Sequence, residues 1–173
     1  DANTNQDLSM NITLSGSNTL QSGGLSAPYA IGAGGVTDYW SLQPGNPDAW
    51  SVNRNRAYDA ILAQSQNHLF ATEFARTQRR SIDLGVKLRA ALESTSAPAT
   101  AFQQGSRLAG MLRMIAHLIA ARETLGMSRQ IFFVGIGDYD THGDQVNRYP
   151  VLMRELNHAL TSFYDATVEL GVS

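Results

Sequence analysis

The run Ile131-Phe-Phe-Val-Gly-Ile136 is almost wholly apolar, rich in β-branched and aromatic residues, and stops abruptly at Gly137. An unbroken run of this kind predicts a strand buried on both faces, as found inside a parallel sheet. Helical patterns precede and follow it, so the chain is restricted to an α/β fold. Within seven residues of Gly137 stand Asp138, Asp140, His142 and Asp144. In open α/β sheets, ligands bind at the loops on the carboxyl ends of strands. Carboxylates and an imidazole at that place suit a divalent cation such as zinc, manganese or calcium. The same residues also suit a plain strand-to-helix turn, because Asp and Gly accept turn backbone readily. Spacing alone leaves both readings open.

On the metal reading, Asp140 and His142 are the ligands, with Asp138, Asp144 and Gln145 supporting them. Residues two apart on extended backbone share a side, so Thr141 should point away from the pair. Two protein ligands are about half of what a catalytic cation requires, and the rest must come from elsewhere.

Composition closes off several classes. The chain has 173 residues and a net charge of -2, enough length for one core and no electrostatic case for nucleic acid. It has no cysteine, which excludes thiol nucleophiles, cysteine metal sites and disulfides. No stretch reaches the ~18 continuous apolar residues of a membrane-spanning helix. The first residue is Asp1 and no signal peptide is present. The last residues, Glu169-Leu-Gly-Val-Ser173, come just after a helical pattern. The expectation is an internal piece of a longer protein, either a single domain over 1–173 or part of a larger one.

Three blocks organise the chain. In 8–53, Met10-Asn-Ile-Thr-Leu-Ser15 alternates as a half-buried strand, with Ile12 and Leu14 on one side and Asn11 and Thr13 on the other. A Gly/Ser/Pro-rich loop follows, with turns at Gly23-Gly24, Gly32-Ala-Gly-Gly35 and Gln43-Pro-Gly-Asn-Pro47. Tyr29, Ile31, Tyr39, Trp40, Leu42 and Trp50 pin this loop or form a binding surface. The block 54–126 is helical. A helix over 54–66 points Ala57, Ile61 and Leu62 inward. A second, over 68–93, uses Leu69, Phe70, Phe74, Ile82, Val86, Leu88 and Leu92. The basic run Arg76-Thr-Gln-Arg-Arg80 reads as its solvated face. A third, over 102–125, carries the widest apolar stripe and should be central, with His117 as a satisfied boundary histidine and Gly126 as its cap. The block 127–173 is strand, loop and helix. Its helix, over 149–170, turns Leu152, Leu156, Ala159, Leu160, Phe163 and Leu170 inward and Glu155, His158, Asp165 and Glu169 outward. Pro150 sits in its first turn. Helix should make up ~50–60% of the chain, against a usual third.

No phosphate-binding Gly-Lys-Ser loop, Gly-x-Gly-x-x-Gly or Gly-x-Ser-x-Gly is present. The block Phe132-Phe-Val-Gly-Ile-Gly-Asp-Tyr-Asp-Thr-His-Gly-Asp-Gln145 resembles the bacterial "domain of unknown function 1501" family, whose pattern is an apolar strand, then Gly-Gly-(Phe/Tyr)-Asp-Thr-His-x-x-Gln. The stretches Asn11-Ile-Thr-Leu-Ser-Gly-Ser-Asn18, Leu152-Met-Arg-Glu-Leu-Asn-His-Ala-Leu-Thr-Ser-Phe-Tyr164 and Glu169-Leu-Gly171 are similar to it too. Asp138 departs from the pattern, where a glycine is usual.

The resemblance implies a helix-rich, partial three-layer α/β/α sandwich of the alkaline phosphatase and sulfatase type. It also implies a two-metal site to which Asp140 and His142 contribute one Asp-and-His pair. The strand bearing the nucleophile and the second metal's ligands would lie outside this chain. A twin-arginine export signal in the parent, and hence a periplasmic or secreted location, is implied as well. Two functions follow: part of an exported metal-dependent hydrolase of phosphate or sulfate esters, or a non-catalytic secreted binding or structural protein on the same fold. The remainder of the parent chain is the expected partner. A homo-oligomer through the sheet edge beside 131–136 is a further expectation.

Overall fold

The computed structural model describes residues 3, 8–23, 27–37, 42, 45–64 and 67–173. Tyr39, Trp40 and the Gln43-Pro44 part of the predicted turn lie outside the described residues. The order of elements is β1 (Asn11–Thr13), β2 (Tyr29–Ala30), α1 (Ala49–Leu62), α2 (Leu69–Ser94), α3 (Arg107–Ala120), β3 (Ile131–Phe133) and α4 (Gln145–Glu169). Helix makes up 51% of the described residues, within the expected range. The chain divides into two compact units, one of 1–35 with 91–173 and one of 36–90.

The sheet is parallel, as the apolar run required, with order β2-β1-β3. Which strand is central differs from the sequence reading. β1 lies in the middle, and Ile12, Thr13 and Leu14 are all buried. Alternation had placed Thr13 in solvent. Its hydroxyl is instead satisfied locally: Oγ1 donates to the Gly16 carbonyl at 2.7 Å and accepts from the Ser15 amide at 3.2 Å. A polar side chain with partners inside its own turn loses little by burial. β3 is shorter than 131–136 and forms an edge of the sheet, with Ile131 49% exposed and Ile136 also open to solvent. β2 is a strand of two residues that loop composition had concealed, and it continues into the Gly32–Gly35 turn, which closes with paired backbone bonds.

α3 is central, as its stripe predicted: Leu108, Ala109, Met111, Leu112, Ile115, Ala116 and Leu118 are buried. It packs against α4. It starts at Arg107 and not at 102, because the Ser106 side chain caps it by accepting from the Ala109 amide at 3.1 Å. Its far end unwinds through a turn in which Gly126 takes φ 65°, and the Met127 amide bonds back to the Arg122 carbonyl. His117 bonds the Thr95 carbonyl through Nε2 at 2.7 Å and is the satisfied histidine expected.

Other helices depart from their sequence readings. α1 begins at Ala49, where Asp48 accepts from the Ser51 amide at 2.9 Å, and Ala57 and Ile61 are exposed. α2 leaves Leu69, Phe70, Phe74 and Val86 exposed and buries Leu84, Leu88 and Ala91 near its carboxyl end. α4 begins at Gln145, so Pro150 stands in the second turn and takes one amide away from the Val146 carbonyl. In α4, Ala159 and Ala166 are buried, whereas Leu160 is exposed. Glu155, expected outside, is half-buried and accepts from the Ser106 hydroxyl at 2.6 Å, tying α4 to the cap of α3.

Candidate metal-binding loop

β1 and β3 run side by side and end together, so the loop after β3 leaves the sheet beside the turn after β1. Ser15 joins the two. Its Oγ accepts from the Gly135 amide at 2.6 Å, donates to the Gly135 carbonyl at 3.3 Å and lies 3.6 Å from Met111 Sδ on α3. The sequence reading passed over this serine. The signal for it was its place at the end of an alternating strand, directly before Gly16, which takes φ 75°.

Beyond Gly135 the loop is shaped by backbone and by two inward side chains. Asp138 adopts φ 71°, a left-handed conformation that costs a non-glycine residue about 1 kcal/mol. Tyr139 is half-buried and donates its hydroxyl to the Leu152 carbonyl on α4 at 3.4 Å. Burial, then the charge of Glu155, holds its phenol above the ordinary value and keeps it a neutral donor. Thr141 is buried, as alternation required.

Asp140 and His142, on either side of Thr141, come together in solvent. His142 Nδ1 is 2.9 Å from Asp140 Oδ1, and both side chains are 84% exposed. That spacing is the contact distance of a hydrogen-bonded carboxylate and imidazole, and it brings both groups to one place on the loop. Asp144 adopts φ 56° at the start of α4, and its carboxylate accepts from the Asn147 side-chain amide. Gln145 is the first residue of α4 and is exposed, as is Asp138. Among the described residues no group of three or more His, Asp or Glu is gathered in a way that could hold an ion. A carboxylate and an imidazole are donor types that a divalent cation takes, and both groups here face solvent. Comparison of the chain with family models, curated proteins and solved structures found no match.

Proposed function

We propose that this chain carries one half of a divalent-metal site in an exported hydrolase of phosphate or sulfate esters, with Asp140 and His142 as two of the ligands. The observation that carries the reading is the 2.9 Å convergence of a carboxylate and an imidazole at the carboxyl end of a parallel sheet. The conformation of Asp138 supports the family resemblance, since the left-handed backbone lies at the position where that family carries glycine. On the same reading, the parallel sheet and its helices belong to a three-layer α/β/α sandwich of the alkaline phosphatase type, completed by chain beyond this segment.

A cation held there would polarise an ester oxygen and lower the pKa of a bound water. The chain's own residues position that centre. Asp140 would supply a carboxylate oxygen and His142 an imidazole nitrogen. Buried Thr141 fixes the backbone between them, and Tyr139 and Ser15 fasten the loop to α4 and β1. The alternative is a secreted, non-catalytic binding protein. One observation favours it: Trp50 is exposed, with the Arg54 guanidinium 5.6 Å from its ring centroid, and an exposed indole is a side chain enriched at interfaces.

Calorimetry with zinc, manganese and calcium separates the readings. In this segment binding should be weak, and in a longer chain that supplies the missing ligands it should be micromolar or tighter. Asp140→Ala and His142→Ala should each weaken it at least roughly tenfold, the scale on which even indirect supports of a metal site act. Binding unchanged by both substitutions would remove the chemical basis of the hydrolase reading.

A further inference from the structure

Helix α4 is apolar on two sides. One side carries buried Ala159 and Ala166 with half-buried Leu152, Leu156 and Phe163. The other carries Val146, Tyr149, Met153, Leu160, Tyr164 and Val168, which at ~100° per residue fall within an arc of about 100°. Apart from half-buried Met153 these residues are exposed, from 41% for Tyr149 to 86% for Val146. A helix face meant for water carries charged and polar residues there. Here an apolar stripe runs the length of a 25-residue helix, and the residue in its middle is Asn157.

We propose that this stripe docks a second copy of the chain, two α4 helices packing antiparallel across a two-fold axis at Asn157. Three observations select a second copy. The stripe is matched about its centre: Val146 and Val168 lie equally far from Asn157, and Tyr149 with Tyr164 and Met153 with Leu160 do so to within one residue, so antiparallel pairing sets these apolar side chains against each other. A side-chain amide both donates and accepts, so Asn157 can bond its own symmetry mate. Charge agrees as well. Arg154 and Asp165 lie on the same flank of the stripe, in opposite halves of the helix. The antiparallel arrangement puts Arg154 of one copy on the same side as Asp165 of the second copy, about 7.5 Å away along the helix and within reach of a long arginine side chain, twice. The area fits a modest dimer: six such side chains expose on the order of 500 Å² per copy, so a pair buries about 1,000 Å², the lower bound for a specific interface. The self-contact thus lies on α4, and does not require the edge of β3.

The chain has no cysteine, so one introduced thiol reports on one place. Asn157→Cys should form a disulfide-linked dimer on mild oxidation, because a residue on a two-fold axis meets itself. Glu123→Cys, exposed in the turn after α3, should not. In sedimentation equilibrium, Leu160→Glu should weaken association on the order of a hundredfold, since the same core residue is lost from both copies. Arg154→Glu and Asp165→Arg should each weaken it roughly two- to tenfold, and the double variant should recover the loss. Circular dichroism on each variant checks that the helix is kept. A monomer at every concentration with no cross-link at 157, which is also what a stripe reserved for a different chain would give, overturns the proposal. A dimer indifferent to Leu160→Glu, or cross-linked equally at 123, overturns it too.

Discussion

Asp138 and Asp144 bracket the loop, and both hold positive φ, 71° and 56°. Asp144 offsets its strain with a bond: its carboxylate accepts from Asn147 in the first turn of α4. Among the described residues Asp138 makes no such bond, and glycine adopts the same backbone without the Cβ clash. Asp138→Gly should therefore stabilise the chain by up to about 1 kcal/mol, the cost of a left-handed residue less the added chain entropy of glycine. Denaturant unfolding reads this as a higher midpoint at unchanged slope. A lower midpoint would mean that the Asp138 side chain contributes a contact that outweighs its backbone cost. Legibility in the sequence divides at this scale too. Asp140, Thr141 and His142 were readable because burial alternates across them, the threonine inward and its two neighbours in solvent. Ser15 and Tyr139 were not, because their value lies in partners 120 and 13 residues away, and no local pattern announces such distances.

At the scale of elements, helix interiors were legible and helix ends were not. The stripe of α3 was plain because burial enforces its spacing. The starts of α1 and α3 were misplaced because each is fixed by one capping side chain, Asp48 and Ser106, rather than by periodicity. The start of α4 was drawn late because Pro150 prefers the first turn, yet here the helix tolerates it in the second. The far end of α4 makes a further tie: the Glu169 carboxylate accepts from the Thr100 hydroxyl at 2.6 Å and from the Ala99 and Thr100 amides at 2.7 and 2.9 Å. These bonds, that of the Thr100 hydroxyl first, hold its carboxyl below the ordinary 4.5. A depressed carboxyl stabilises fully above its unfolded value and loses that contribution as the pH falls through its folded one. The tie should thus hold at neutral pH and release in acid, below 4.5. Hydrogen exchange of the Ala99 and Thr100 amides should be protected at neutral pH and lose protection in Glu169→Ala. Equal exchange in both proteins would show that the clamp is not populated in solution.

For the molecule as a whole, buried apolar side chains are divided unequally between its two units. Among the described residues, the unit of 36–90 contributes Leu42, Leu84 and Leu88 to the buried apolar set, and the unit of 1–35 with 91–173 contributes the rest. Within 36–90 the ties between α1 and α2 include polar, largely exposed ones: Arg79 with Asp59 at 2.6 Å, and the Tyr58 hydroxyl with Gln78 at 3.2 Å. Exposed pairs of this kind contribute at most about 1 kcal/mol each, and a short helix without a packed face is marginal in water. Exposed Trp50, Ile61, Phe70 and Phe74 supply no such packing. The sequence misled at this scale because amphipathic spacing announces an apolar face and says nothing of whether another element covers it. The amides of α1 should therefore exchange through local opening at a free energy well below that of global unfolding, while those of β1 and α3 exchange only near the global value. Hydrogen exchange followed by mass spectrometry over a denaturant series measures both. If α1 proved as protected as α3, its apolar side chains would have to be covered in solution, and the polar ties between α1 and α2 would not be what sets the stability of 36–90.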